Sequence, residues 1–366
     1  SDDIVILVAT SGDTGKAALE GFKNVDRTRI IVFYPEEGVS LVQKQQMITQ
    51  DGNNVHVAAV AGNFDDAQSG VKRIFTDPSL SNRLAQQGLK LSSANSINWG
   101  RLVPQIVYYV SAYIDLCAQQ AIKEGQPVNF VVPTGNFGNI LAAFYARQMG
   151  VPIHRLICAS NANNVLTDFF NTGVYDRNRH LEKTLSPSMD ILISSNLERL
   201  LFEITEHDAA KVSEWMEQLQ TQGRYEIDPA IREKVQSIFW ADYCSDVQTL
   251  ETIRAVWEEK RYLLDTHTAV AFHVYQSYRK AVADDTPTVI ISTASPYKFG
   301  SSVARALFSQ ELIQGKDEFS LLKMLSTATG IPIPRGIEGL ESREIKHNTR
   351  TEAGAMEQTV LNFLQI

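Results

Sequence analysis

The stretch IVILVATSGDTGKAALEGF, Ile4–Phe22, passes from an aliphatic run through a hydroxyl-rich loop into a periodic Ala/Leu/Phe pattern. The unbroken run reads as a strand buried on both faces, and the pattern after the loop reads as a helix. Strand, tight loop and helix together form the unit of an open α/β sheet, in which ligands collect beyond the C-terminal ends of the strands. Thr10–Gly15 occupies such an end. The first N–H groups of the following helix, together with its dipole, favour an anion there. Gly12-Asp-Thr-Gly-Lys16 approaches the phosphate loop of nucleotide hydrolases, but Thr10 stands where the first glycine is needed and Ala17 where a magnesium-binding hydroxyl is needed. A nucleotide is therefore not the expected anion. A carboxylate or a phosphate is, unless Ser11, Asp13 and Thr14 are ordinary helix caps.

The same rhythm recurs along the chain. Strands are expected at Ile4–Val8, Arg29–Tyr34, Val55–Val60, Val128–Val132, Ile153–Ala159 and Thr288–Ile291. Polar loops follow three of them: Thr10–Gly15, Thr134–Asn139 and Ser292–Ser295. Val103, Ile106, Val107, Val110, Ile114 and Cys117 fall at helical spacing, so one long helix is expected over 101–120, entered through Asn95–Gly100. From about 197 to 262 the chain turns charged and helical, with Trp215, Leu219, Val235, Ile238, Trp240 and Trp257 as its core. This block reads as a helical insertion. The expected fold is α/β, with open parallel sheets flanked by helices in two domains, a smaller one over 1–94 and a larger one over 95–366.

Composition narrows the function. The chain has 366 residues, 44% of them hydrophobic and 21% charged, with a net charge of −8. That describes a folded protein with no clustered cations for nucleic acid. No apolar run reaches the ~20 residues of a membrane span. Cys117, Cys158 and Cys244 are odd in number and none forms a CxxC pair, so reduced thiols and a cytoplasmic location are expected. The seven histidines show no metal-ligand spacing, so no metal is expected.

Two further stretches can hold anions. Thr134-Gly-Asn-Phe-Gly-Asn139 lies between a strand and a helix; glycines with intervening N–H groups there make a phosphate cradle or a plain turn. Asn95-Ser-Ile-Asn-Trp-Gly-Arg101 sets two carboxamides and a guanidinium fork beside a helix start, where Arg101 can grip a phosphate or face water and Asn95 can be a cap. His267, in Asp265-Thr-His-Thr-Ala269, is expected to cap or pack.

Taken in order, Ala9–Gly15, Tyr34–Met47, Gly62–Asp66, Asn95–Trp99, Gly135–Asn139, Asn161–Asn164, His267–Ala269 and Ser292–Phe299 resemble threonine synthase, a pyridoxal-phosphate enzyme of fold type II, over most of the chain. The resemblance implies that Gly135, Asn136, Phe137, Gly138 and Asn139 cradle the cofactor phosphate and that Thr293 is the neutral partner of its pyridine nitrogen. It implies that Ser11, Asp13 and Thr14, with Thr10 beside them, bind the substrate's α-carboxylate. Asn95, Asn98 and Arg101 would meet the phosphate of O-phospho-L-homoserine, which such an enzyme converts with water to L-threonine and phosphate. Small-molecule chemistry by a monomer or homodimer is implied, with no nucleic acid or membrane.

Relatives read His-Pro-Ala-Lys where this chain has Ser295–Lys298, so neither Ser295 nor Tyr297 is given a role. The family's Schiff-base lysine lies in a Phe-Lys-Asp motif before the Thr10–Gly15 loop, upstream of Ser1. Lys16, expected to face solvent, does not replace it, and the chain is expected to be inactive by itself. The alternatives are a non-catalytic relative that binds a phosphorylated amino acid, and a serine or threonine dehydratase or cysteine synthase of the same fold.

Overall fold

A computed structural model describes residues 2–10, 12–36 and 39–366. The chain divides into two compact units, one built from 1–98, 297–301 and 314–366, the other from 99–296 and 302–313. The first holds a five-stranded sheet in the order β11-β3-β2-β1-β4, from β1 (Asp3–Ala9), β2 (Thr28–Pro35), β3 (Val55–Ala61), β4 (Leu89–Ser93) and β11 (Thr349–Glu352). Every pairing in it is parallel, with Ile4 opposite Thr28 and Asp3 opposite Leu89. Helices cover both faces, so Val5, Leu7, Ile31 and Phe33 face one apolar cluster while Ile6, Val8, Ile30 and Val32 face the other. Two-sided burial explains why these strands are near-continuous aliphatic runs.

The second unit holds a four-stranded parallel sheet in the order β10-β5-β6-β9. Its strands are β5 (Val128–Pro133), β6 (Ile153–Ser160), β9 (Phe239–Tyr243) and β10 (Thr288–Ile290). A short antiparallel ribbon pairs β7 (Val174–Asp176) with β8 (Arg224–Glu226). The core centres on stacked rings: Phe170 and Phe239 lie 5.0 Å apart, and Phe137 packs 5.9 Å from Phe170.

The α/β class expected from the strand rhythm is the one that forms. Three details differ from the sequence reading. The chain after 314 joins the first unit instead of the second, because β11 pairs with β3. The block 197–262 is not purely helical: it contains β9, a member of the second sheet. The helix expected over 101–120 is broken into Trp99–Leu102, a 3₁₀ turn at Val103–Gln105 and a helix Ile106–Ala118. Pro104 sits in the break, and it lacks the N–H that a helix interior needs.

Candidate active site

β5 and β10 are neighbouring parallel strands with Val131 opposite Ile290. Their loops, Thr134–Asn139 and Ser292–Ser295, therefore leave the same end of the second sheet. This topology brings Gly135 and Thr293 to one place although they are far apart in sequence.

The cradle is shaped by three constraints. Phe137 is 1% exposed, its ring held in the aromatic core, and its backbone is left-handed at φ 64° where it caps the helix Gly138–Gln148. The carbonyl of Gly135 accepts from Ser194 Oγ at 2.7 Å, and that of Asn136 accepts from Asn196 N at 3.1 Å and Nδ2 at 2.9 Å. The carbonyl of Phe137 accepts from Leu141 N at 3.0 Å. In a trans peptide the N–H points opposite to the carbonyl. The N–H groups of Asn136, Phe137 and Gly138 are thus turned away from these partners.

A side chain at Gly135 would fill the turn behind this cradle: a Cβ there would sit 2.8 Å from the Ser188 carbonyl oxygen. Asn139 is oriented by Tyr109, whose hydroxyl donates to Asn139 Oδ1 at 2.5 Å and lies 2.9 Å from its carbonyl oxygen. Burial raises the Tyr109 pKa well above its usual value, so the hydroxyl keeps its proton and the amide nitrogen of Asn139 is turned away from it. Thr293 is exposed at the same sheet end.

The turn that packs on Gly135, Pro187–Met189, is itself supported from below. Asp190 accepts from Asn161 Nδ2 at 2.8 Å, Asn163 Nδ2 at 2.9 Å and Thr184 Oγ1 at 2.7 Å. Burial pushes the Asp190 carboxyl up, and these hydrogen bonds oppose it. Ser194, Asn196, Ser188 and Asp190 were not singled out from sequence. The run Ser194-Ser-Asn196, small polar residues opening the helix Leu197–Ile204, was the one local signal.

In the first unit, Thr10 closes its own loop: its Oγ1 accepts from Gly12 N at 2.9 Å and Gly15 N at 2.8 Å. That leaves Asp13 and Thr14 at the start of the helix Asp13–Phe22 as the N–H groups available to an anion. Ser11 lies outside the described residues. The Asp13 carboxylate accepts from Lys298 Nζ at 2.7 Å and Gln43 Nε2 at 3.1 Å. Asp13 thus positions a cation at this loop.

Lys16 is not left to solvent; it pairs with Glu20 at 2.8 Å and with Gln50. Asn95 ties the ends of β1 and β4 together, its Nδ2 donating to the Ala9 carbonyl at 2.7 Å, and Asn98 Nδ2 donates to the Ser93 carbonyl at 2.6 Å. In the second unit, Arg101 is half-buried, and burial lowers its pKa without removing its charge. Among the described residues no cluster of side chains could hold a metal, and no helix is long and apolar enough to cross a membrane.

A glycine-containing strand-to-helix turn at one end of a parallel sheet lies beside a loop with an exposed hydroxyl, and the protein is of the fold type II class of pyridoxal 5'-phosphate enzymes, with that cofactor. Residues 268–360 match the family model described as threonine synthase, C-terminal. The pyridoxal-phosphate-bound threonine synthase from Brucella melitensis superposes with a TM-score of 0.84 and 36% identity, covering 100% of this chain and 72% of that one. The threonine synthase of Pseudomonas aeruginosa is 40% identical over 307 residues, which are 84% of this chain and 63% of the relative. Threonine synthase-like 1 from Homo sapiens is 45% identical over 344 residues, 91% of this chain and 45% of the relative. The chain belongs to the threonine synthase family, and it spans less than half the length of that human relative.

Proposed function

We propose that this chain carries the cofactor and substrate sites of a threonine synthase, which converts O-phospho-L-homoserine and water to L-threonine and phosphate. The observation that carries the reading is the set of three N–H groups at Asn136, Phe137 and Gly138, fixed by a buried ring and by carbonyls held from behind. When bound, pyridoxal phosphate supplies an electron sink for negative charge on the substrate's carbons.

The chain's residues bind and orient. Gly135–Asn139 hold the cofactor's phosphate dianion, with the Gly138–Gln148 helix dipole behind it. Thr293 offers the pyridine nitrogen a neutral hydroxyl, which does not drive its protonation as a carboxylate would. Ser11 and Thr14, with the N–H of Asp13, take the substrate's α-carboxylate, and Thr10 holds their loop closed. Asp13 keeps the Lys298 ammonium beside them as a counter-charge. Arg101 takes the substrate's phosphate.

The test is incubation with pyridoxal phosphate and O-phospho-L-homoserine, following phosphate and L-threonine release together with the melting temperature. Turnover with both products supports the reading. Protection against heat by serine but not by phosphohomoserine would replace it with a dehydratase. Protection by phosphohomoserine supports the substrate site with or without turnover, and protection by neither ligand would overturn the reading.

A further inference from the structure

His267 and Thr268 take no part in the functional reading above, yet they lie under both ends of the candidate cofactor site. Asp265 caps the helix Thr266–Ala281, accepting from His267 N at 2.8 Å and Thr268 N at 3.2 Å. His267 is 2% exposed. Its Nδ1 lies 3.3 Å from Asp265 Oδ1, and its Nε2 is 3.2 Å from the N–H of Ser188. A backbone N–H can only donate, so Nε2 must present a lone pair and the ring proton must sit on Nδ1, towards the carboxylate. The capping carboxylate thus selects the tautomer that can hold Ser188.

Ser188 is the residue whose carbonyl oxygen closes on Gly135, the first residue of the cradle. One residue along the helix, Thr268 donates its hydroxyl to Asp265 Oδ2, and its Oγ1 lies 3.3 Å from Ser292 Oγ, next to Thr293. One carboxylate therefore orients two side chains, one reaching the turn that packs on Gly135 and the other the Ser292–Ser295 loop.

We propose that the Asp265-capped helix start is a brace setting the spacing between the phosphate cradle and Thr293, with His267 and Thr268 as positioning residues at its two ends. The proposal rests on the cofactor reading of Gly135–Asn139 and Thr293. A residue that only filled space would affect folding, whereas a brace affects each end of the cofactor separately.

The test titrates the full chain with pyridoxal 5'-phosphate and with pyridoxal, which lacks the phosphate, following absorbance and the cofactor's phosphorus resonance. His267→Phe keeps the ring but leaves the Ser188 N–H without an acceptor; it weakens pyridoxal phosphate about tenfold while pyridoxal binding is unchanged. His267→Gln, which restores an acceptor, recovers most of the loss. Thr268→Val shifts the absorbance of the bound cofactor and leaves the phosphorus resonance in place, and Thr268→Ser reverses the shift.

Wild-type affinity in folded His267→Phe, or equal weakening of both ligands, would overturn the brace. If His267→Phe does not fold, the Thr268 pair decides: an unshifted absorbance in Thr268→Val overturns the proposal. Equal affinity of the wild-type chain for pyridoxal phosphate and pyridoxal would instead remove the cradle itself, and the brace with it.

Discussion

Gly135 shows how a single position can serve both packing and binding. The obstacle to a side chain there is backbone, the Ser188 carbonyl oxygen at 2.8 Å and Met189 Cα at 3.1 Å, which cannot rotate aside. Gly135→Ala is expected to lower stability by about 1–3 kcal/mol, read as a lower denaturant midpoint. It should also weaken pyridoxal phosphate by displacing the 187–189 turn; unchanged affinity in the folded variant would separate that turn from the site. Arg101→Ala removes the fork proposed to meet the substrate's phosphate. It should weaken phosphohomoserine by about 1.5–3 kcal/mol and leave cofactor affinity near wild type. Equal loss of both ligands in calorimetric titrations would put Arg101 at the cofactor. At this scale the sequence is legible where a backbone constraint shows in residue type: Gly135, a glycine between strand and helix, sits where a Cβ would meet backbone. It was not legible where a side chain's partner is distant: Asp13 looked like a cap or an anion donor, but its carboxylate meets Lys298, 285 residues away.

Elements show the same division. The helix Leu41–Ile48 starts with a capping box: Ser40 Oγ accepts from Gln43 N at 3.2 Å and Gln43 Oε1 from Ser40 N at 3.3 Å. Gln43 also donates to Asp13, so this cap fastens the Thr10–Gly15 loop to a second helix. Ser40→Ala is expected to cost about 1 kcal/mol as a lost cap. Gln43→Ala should cost at least as much, and a double-mutant cycle should give a coupling of about 0.5 kcal/mol or more. Strict additivity in urea melts would mean that the two halves of the box act independently. The strands with long aliphatic runs were legible because two-sided burial writes itself into composition. β4, β9 and β11 were not: β11, TRTE, is polar and carries no periodic signal, and only its pairing with β3 makes it a strand. β9 opens directly from the helix Pro229–Ile238, so its aromatic residues read as part of a helical core.

For the whole molecule, local pattern identifies the class of fold but not how the chain is divided, since the first unit is assembled from three separate segments. The two units can still be followed separately, because Trp99, Trp215, Trp240 and Trp257, the only tryptophans in the chain, all belong to the second. Asp284 ties three parts of that unit together. It accepts from Asn129 Nδ2 of β5 at 2.8 Å, Tyr278 Oη of the Thr266–Ala281 helix at 2.6 Å and Thr286 N at 2.9 Å. Burial alone would raise its pKa, but hydrogen bonds from Thr286, Tyr278 and Asn129 outweigh that and hold it below the usual carboxylate value. A lowered carboxyl pKa means that the unfolded chain binds the proton first. The stabilisation is therefore complete above the unfolded value, ~3.9, and is lost as pH falls through the folded one. Asp284→Asn puts an amide donor among donors, so its tryptophan-detected denaturant midpoint should fall below wild type at pH 7. The gap should narrow below about pH 4, where wild type loses the same interaction. A gap that is constant from pH 7 to pH 3 would show that the ionised carboxylate is not what holds Asn129, Tyr278 and Thr286 together.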